Sequence, residues 1–211
     1  MRDAAGIDLE SPPDRSTAAA RGLLPEVELV ARARAGEAWA FGALYERHYD
    51  RVLGYLYRQT LRVATAEELT SDAFYAALRG LVRFRGEAPF GLWLYRIATN
   101  LGVNYARDNR HERNASTIYL DETDSETGTT PDVADATPGA ESNLLRRERV
   151  NAIRDHVMAL PERQRMAVLM HKYEDMDYRQ IGEVLKLSES ATKSLLFRAY
   201  QTLREKLKPF V

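Results

Sequence analysis

The feature that most restricts the fold of this chain is a segment, residues 111–140, with very few large apolar side chains. Its only cluster of such side chains lies at 118–120, and the rest is rich in Thr, Asp, Pro and Gly. Such a composition buries too little apolar surface to offset the entropy lost on ordering the chain. We therefore predict a flexible acidic linker here, with a separate folded unit on each side.

On both sides of this segment the apolar residues recur every three or four positions, the spacing of one face of an α-helix. We find no strand-length alternation and no repeat of 20–50 residues. The predicted fold is all-α, with two small helical domains joined by the linker. The predicted boundaries are a disordered tail over 1–24, a first domain over 25–110, the linker over 111–140 and a second domain over 141–211.

The net charge of the whole chain, −1, conceals an uneven distribution. Residues 21–110 carry a net charge of +3 and residues 141–211 a net charge of +4, whereas 111–140 carry −6. Two mildly basic units are therefore separated by an acidic one. Because a phosphate backbone responds to the local field, both units remain compatible with nucleic-acid binding.

The composition argues against several other functions. The chain has no cysteine, which excludes disulfides, thiolate zinc sites and cysteine nucleophiles and fits a reducing cytoplasm. Its four histidines lack metal-ligand spacing, and we find no phosphate-binding glycine loop or nucleophile elbow. No apolar run approaches the roughly 20 residues that span a bilayer. We expect a cytoplasmic protein without membrane insertion, catalytic residues, metal or cofactor.

Three signals near the carboxyl end predict a helix-turn-helix. Asp177 and Gln180 have the spacing of a capping box, and a short helix from there would reach Leu185. Ser188 is a suitable N-cap for a longer helix that runs to about Leu207. A short helix, a tight turn and a longer basic helix are typical of proteins that place the second helix in the major groove.

The second of these helices carries the side chains that we expect to contact DNA. Its Ala191, Leu195 and Leu196 are predicted to face the domain core. A solvated amphipathic helix would explain the charges equally well, but the caps and the turn favour DNA. The predicted DNA contacts are Ser190, Lys193, Ser194, Phe197 and Arg198, of which Lys193 and Arg198 suit phosphate or guanine best.

The segment 160–207 resembles region 4 of bacterial sigma factors. The resemblance rests on LPERQR at its start and on residues of the two helices: Tyr178, Ile181, Gly182, Leu185, Lys193, Ser194, Arg198, Ala199 and Leu203. In that family region 4 binds the upstream (−35) promoter element and contacts RNA polymerase. The chain departs from the family at Leu195, where arginine is common, and at Ser190, where glycine is frequent. These departures leave the promoter bases open.

The segment AEELTSDAF, 66–74, resembles the region 2 helix of the same family that docks on the coiled coil of the largest polymerase subunit. Acidic side chains four positions apart beside an apolar stripe suit a basic helical partner. The residues expected to bind polymerase are Glu68, Leu69, Asp72 and Phe74. The alternative is a helix with solvated glutamates and with Phe74 buried in its own domain.

The segment 84–107 resembles the part of region 2 that holds the downstream (−10) element as a melted single strand. That task needs aromatic rings for unpaired bases, cations for phosphates and amides for base edges. Core packing is the alternative for aromatic residues at helical spacing, and Trp93 could fall on either side. The residues expected to capture the strand are Phe84, Arg85, Trp93, Arg96, Asn100, Asn104 and Arg107.

A resemblance to regions 2 and 4 alone implies a sigma factor of the extracytoplasmic-function class. Such a protein binds core RNA polymerase, directs it to promoters and assists melting; its implied partners are polymerase, promoter DNA as duplex and melted strand, and an anti-sigma factor. One alternative is a polymerase-independent helix-turn-helix regulator, which would bind duplex DNA tightly on its own. Another is a sigma-like protein that sequesters or bridges other transcription proteins.

Overall fold

The computed structural model describes residues 24–115 and 140–210 of the chain. Over these two ranges the regular structure is helical, with no β-strand. The predicted all-α fold is therefore confirmed for the described residues. Residues 1–23 of the predicted tail, 1–24, and most of the predicted linker lie outside them.

Within residues 24–115 the first helical unit contains four α-helices and one short 3₁₀ turn. These are α1 (Glu26–Arg34), α2 (Ala38–Thr60), α3 (Val63–Gly80), the 3₁₀ turn Leu81–Arg83 and α4 (Phe90–Ala115). Between α1 and α2 the chain turns at Gly36, whose φ of +94° is a conformation that glycine adopts without steric cost. The long helix α2 packs against α1, α3 and α4 and so forms the centre of the unit.

The core around α2 includes a buried hydrogen-bonded tyrosine. Tyr55 is fully buried, and its hydroxyl lies 2.9 Å from the Thr99 hydroxyl of α4. Its ring also meets the ring of Tyr95 edge to face, with centroids 5.3 Å apart. Burying a phenol is favourable only when its hydroxyl has a partner, which Thr99 supplies. These contacts hold α4 in a defined rotation against α2.

The amino end of α4 is held by a side chain of α1. The Glu26 carboxylate accepts a hydrogen bond from the backbone N–H of Phe90 at 2.8 Å, and its other oxygen lies 2.7 Å from His48 Nε2. The first N–H groups of a helix lack partners within the helix and attract negative charge. The hydrogen bond from His48 lowers the pKa of Glu26 below its ordinary value of 4.5, against the opposing effect of burial.

We expect Glu26→Gln to lower the free energy of unfolding at neutral pH by about 1 kcal/mol, because an amide cannot replace the carboxylate charge. Since folding lowers the pKa of Glu26, its stabilisation is complete above pH 4.5 and is lost as the pH falls through the folded-state value. The difference between the two proteins should therefore shrink on acidification. Urea unfolding followed by tryptophan fluorescence measures the difference in unfolding free energy, since both tryptophans, Trp39 and Trp93, lie in this unit.

Glu28→Gln is the matched control, because Glu28 also lies in the first turn of α1 but, among the described residues, pairs with Arg32 in an exposed ion pair at 2.8 Å. It should leave the unfolding free energy nearly unchanged at every pH. An equal loss for Glu26→Gln at pH 7 and at pH 4 would contradict a role for the carboxylate charge.

The second helical unit contains α5 (Ala140–Met158), α6 (Glu162–Tyr173), α7 (Tyr178–Leu185) and α8 (Glu189–Leu207). A final 3₁₀ turn covers Lys208–Phe210. Helix α8 packs against α5, α6 and α7. The predicted capping box is confirmed: Gln180 N–H donates to the Asp177 carboxylate at 2.8 Å and Asp177 N–H donates to the Gln180 side chain at 2.9 Å. Ser188 caps α8, as predicted, by accepting from Ala191 N–H at 3.2 Å.

Two helix limits differ from the sequence-based expectation. Helix α3 begins at Val63, whereas the spacing of its apolar residues, read from the sequence alone, predicts a start at Thr65 or Ala66. Helix α4 continues to Ala115, five residues into the segment predicted as linker. Residues 108–115 carry no large apolar side chain, so periodicity gives no signal there. Their arginines, glutamate and alanine are nevertheless good helix formers, and extending an existing helix is far easier than starting one.

The two helical units contact each other directly. Helix α7 packs against α4, and α6 packs against α2. The turn between α6 and α7 carries Glu174, which is buried although it is acidic. Its polar partners are Arg51, Arg58 and Tyr95 of the first unit.

Candidate nucleic-acid interface

A cavity of about 520 Å³ opens at the amino end of α4. It lies where the chain leaves the 3₁₀ turn and enters α4, and Gly86 in the connecting loop has a φ of +72°. We call it the α4 cavity; its lining consists of three arginines, two glutamates and four apolar side chains: Arg83, Arg85, Arg96, Glu87, Glu183, Phe84, Ala88, Leu92 and Trp93. The cavity therefore combines positive charge with aromatic surface, as a site for unpaired nucleotides requires.

The aromatic side chains at the α4 cavity lie at different depths below the protein surface. Phe90 is 1% exposed and lies beneath the lining, where Phe84 meets it edge to face at 6.2 Å between centroids. Phe84 is itself 8% exposed and lies 4.7 Å from Trp93, which is half-buried. Of the two aromatic residues predicted to capture a strand, Trp93 thus presents the accessible ring and Phe84 lies behind it.

The exposed face of α4 continues from this cavity along the helix. Arg96, Asn100, Asn104 and Arg107 follow Trp93 at spacings of three and four residues, and all four are exposed. At 1.5 Å per residue, Arg96 and Arg107 are separated by roughly 16 Å along the helix axis. Arg107 lies 3.4 Å from Asp108 in an exposed ion pair that a phosphate could replace. The predicted strand-capture residues therefore form one continuous face, apart from the buried Phe84.

A second cationic face lies on α8. Its buried residues are Thr192, Leu196, Ala199 and Leu203, one helical stripe that faces the rest of the unit. The opposite side exposes every predicted DNA contact: Ser190, Lys193, Ser194, Phe197 and Arg198. Phe197 is 69% exposed and adds a large aromatic ring to this face.

The inward face of α8 differs by one position from the expected one. Of the three residues predicted to face the core, Leu196 is buried and Leu195 is half-buried against the core, whereas Ala191 is half-buried without being part of that packing. Thr192 is fully buried instead, and its hydroxyl donates to the Ser188 carbonyl at 3.0 Å. The sequence reasoning passed over this threonine because it is polar, although a threonine in a helix can satisfy its hydroxyl on the preceding turn.

A tight approach of α7 and α8 sets the angle between them. A Cβ atom on Gly182 would lie 2.7 Å from the Leu187 carbonyl oxygen, so the turn passes closer to α7 than a side chain allows. The turn itself uses Lys186 in the left-handed region, with a φ of +54°. These two features leave the first turn of α8 exposed at the domain surface, where its side chains can reach a DNA groove.

The residues expected to bind polymerase separate into two sets on α3. Glu68 and Asp72 are exposed, whereas Leu69 and Phe74 are 7% and 3% exposed. Phe74 packs on Tyr45 of α2 with centroids 4.6 Å apart. The outer face of α3 also exposes the apolar side chains Tyr75 and Leu78. The acidic residues and these two side chains are thus the ones a partner could contact.

Five lining residues of the α4 cavity lie outside the predicted set: Arg83, Glu87, Ala88 and Leu92, which neighbour predicted residues in the sequence, and Glu183. Glu183 belongs to α7 in the second unit, and no sequence signal links it to a cavity built by residues 83–96. Among the described residues, no cluster of His, Cys, Asp and Glu could hold a metal ion. None of the described helices is long and apolar enough to cross a membrane.

Two family models match the chain, one on each helical unit. The model described as Sigma-70 region 2 matches residues 44–112. The model described as Sigma-70, region 4 matches residues 151–203. The first range contains every residue of the α4 cavity lining except Glu183 and also the acidic face of α3, and the second contains α7 and most of α8.

Curated proteins of the same kind match most of the chain. The ECF RNA polymerase sigma-E factor of Haemophilus influenzae is 30% identical over 189 residues, which cover 89% of this chain and 98% of that protein. The ECF RNA polymerase sigma factor BldN of Streptomyces coelicolor is 34% identical over 179 residues. That match covers 84% of this chain and 64% of the longer BldN.

A solved structure shares the arrangement of the helices. The sigma factor RpoE of Bartonella quintana, determined in complex with the anti-sigma factor NepR, superposes with a TM-score of 0.61 over 80% of this chain and 96% of that one. The two sequences are 16% identical, so the likeness concerns the fold.

Proposed function

The chain belongs to the extracytoplasmic-function (ECF) sigma factors of RNA polymerase, and from this premise we propose that it recognises promoters through two separate surfaces. One observation carries the proposal: each family-model match coincides with a helical unit that exposes a cationic face suited to DNA. The first face suits a single strand and the second suits a duplex.

The α4 cavity is the proposed site of −10 strand capture. Trp93 offers a ring on which an unpaired base can stack, and Arg85 and Arg96 offer charges for the flanking phosphates. Asn100, Asn104 and Arg107 extend the same face toward the carboxyl end of α4. Phe84 supports the ring of Trp93 from behind, because it is buried between Trp93 and Phe90. The free protein supplies no energy to open the duplex, so this site acts once polymerase has begun melting.

The exposed face of α8 is the proposed reader of the −35 element. Lys193 and Arg198 lie on that face, with Ser190, Ser194 and Phe197 around them. In the free protein Lys193 pairs with Glu189 at 2.7 Å, and this pairing raises the pKa of Lys193. A phosphate or a guanine would have to replace Glu189, which reduces the net gain from Lys193. Within the described ranges the Arg198 guanidinium donates to the Ser194 carbonyl of its own helix and to no acidic side chain, so Arg198 is the stronger contact.

Core RNA polymerase is the proposed partner of α3. Glu68 and Asp72 lie exposed on that helix, and an acidic stripe complements a basic helical surface. Leu69 and Phe74 act by fixing the helix in its own domain, since both are buried. We further propose an anti-sigma factor as a partner, supported by the complex in which the Bartonella quintana protein was determined. Since transcription takes place there, the proposed compartment is the cytoplasm.

Run-off transcription with bacterial core polymerase on genomic promoter fragments tests the proposal. Specific transcripts should appear only when this protein is added. If no transcript appeared and the free protein instead bound duplex DNA tightly, a polymerase-independent regulator would be the correct account.

The double substitution Lys193→Ala and Arg198→Ala should weaken holoenzyme binding to a duplex −35 fragment by about tenfold, because two cationic contacts are lost and one of them already competes with Glu189. Arg204→Ala with Lys206→Ala removes the same charge from the exposed far end of the same helix and is the matched control. Equal losses of binding affinity for the two double substitutions, measured by fluorescence anisotropy at one salt concentration, would contradict the proposed DNA-reading face.

A further inference from the structure

Glu174 is a buried acidic residue whose side chain pairs, within the described part of the chain, with polar groups of the other helical unit. Its side chain is 3% exposed, and it lies in the turn between α6 and α7. The Tyr95 hydroxyl donates to its Oε2 atom. Arg51 Nε lies 3.4 Å from Oε2, and Arg58 Nη1 lies 3.4 Å from Oε1. Both carboxylate oxygens are thus bound by residues of the first unit.

The main chain and the neighbours of Glu174 strengthen the same contact. Arg51 Nη2 donates to the Glu174 carbonyl oxygen at 3.0 Å. The Arg58 guanidinium also lies 4.4 Å from the ring centroid of Tyr173, a cation–π distance. Met176 on the other side is 7% exposed. The turn between α6 and α7 therefore packs on α2 and α4.

The side chains of the first unit that surround Glu174 have fixed positions that suit a carboxylate. Tyr95 is 3% exposed and its ring is fixed against Tyr55, so the hydroxyl has a defined position. Burial raises the pKa of Tyr95, and the hydrogen bond to Glu174 acts in the same direction, so the phenol stays a donor. A buried carboxylate is tolerated only when charge and hydrogen bonds compensate for its lost hydration, which two arginines and a tyrosine supply here.

The Glu174 contact has a geometric consequence for the α4 cavity. It places α7 across the amino-terminal half of α4, and the Glu183 side chain of α7 forms part of the cavity lining. An acidic side chain from the second unit therefore lies beside the arginines that would meet a phosphate. A single strand that enters the cavity must share it with this helix or displace it.

We propose that Arg51, Arg58 and Tyr95 form a carboxylate-binding site that Glu174 fills in the free protein, and that this contact keeps the second unit closed over the α4 cavity. Separation of the two units then precedes the capture of a single strand. The binding site stands on its own geometry, whereas the consequence for DNA rests on the proposed function of the α4 cavity.

The distance between the units gives a test that does not involve DNA. Because the chain has no cysteine, Ser71→Cys on α3 and Lys206→Cys on α8 accept a donor and an acceptor dye without background labelling. Glu174→Gln should lower the energy transfer in the full-length free protein by populating the open form about tenfold more. Tyr95→Phe, which removes only the hydroxyl and lies in the other unit, should act in the same direction.

Asp175→Asn is the matched control. Asp175 is the exposed acidic neighbour of Glu174, and asparagine tolerates its left-handed φ of +52°. This variant should keep the transfer efficiency of the parent protein. Unchanged transfer in both Glu174→Gln and Tyr95→Phe, with circular dichroism showing both proteins folded, would overturn the proposal.

Binding of a fluorescent twelve-nucleotide single strand of random sequence separates this inference from the proposed function. Glu174→Gln should bind the strand about tenfold more tightly than the parent or the Asp175→Asn control. Lower transfer without strand binding by any of these proteins would support the carboxylate site and count against strand capture at the α4 cavity. Unchanged transfer together with equal strand binding by all three would overturn the carboxylate site and leave strand capture standing.

Discussion

Replacing Arg85 and Arg96 together with alanine is expected to reduce open-complex formation by about a hundredfold, the largest functional loss that we predict. Both arginines line the α4 cavity, and both are exposed in the free protein. Arg85 has only a loose ion pair with Glu87, at 3.8 Å between exposed side chains, which a phosphate can replace at little cost. A charge-assisted hydrogen bond to phosphate contributes roughly 1.5 kcal/mol, about a factor of ten for each arginine.

The measurement is permanganate reactivity of thymines in the melted −10 region, with core polymerase on a promoter identified by run-off transcription. In parallel, the salt dependence of single-strand binding should become shallower by about 1.4 in the log–log slope, because two phosphate contacts are removed. Arg62→Ala with Arg79→Ala removes equal charge from exposed positions on the same unit, outside the cavity, and should preserve open complexes. Loss of melting in both pairs would indicate a general charge effect and would count against the α4 cavity as the capture site.

The helices and the caps of this protein could be predicted from the sequence because their determinants are local. Apolar residues three and four positions apart gave the packing faces, and the Asp177–Gln180 box and the Ser188 cap involve atoms within one helical turn. Most residues of the candidate site could be predicted from the sequence for the same reason. Trp93, Arg96, Asn100, Asn104 and Arg107 share one face of α4 through helical spacing alone.

The contact between the two helical units could not be predicted, because its determinants are distant in sequence. Glu174 lies within EDMD, a run whose charges are typical of a solvated loop, and its partners Arg51, Arg58 and Tyr95 are 79 to 123 residues away. The burial of Phe84 is a related case. The sequence places Phe84 next to Arg85, but it does not show that the Phe84 ring is buried against Trp93.

The role of Phe84 leads to the largest effect that we expect on stability. Phe84→Ala should lower the free energy of unfolding of the first unit by about 3 kcal/mol, since it removes an 8% exposed ring packed against Phe90 and Trp93. Phe84→Leu, which keeps most of the buried volume, should cost about 1 kcal/mol. Urea unfolding monitored by the fluorescence of Trp39 and Trp93 reports on this unit. Tyr75→Ala, at a 61% exposed aromatic position on α3, is the control and should change the unfolding free energy by less than about 0.5 kcal/mol.

The leucine variant decides how Phe84 contributes to strand capture. If Phe84 only supports Trp93 from behind, Phe84→Leu should form open complexes at nearly the parental level, because leucine fills the same space and the accessible ring remains. If a base stacks directly on Phe84, leucine and alanine should lose melting alike, since neither offers an aromatic face. Direct stacking would also require Phe84 to leave its place between Phe90 and Trp93 when the strand binds. A parental level of melting in the leucine variant would therefore assign the stacking surface to Trp93 and the positioning of that ring to Phe84.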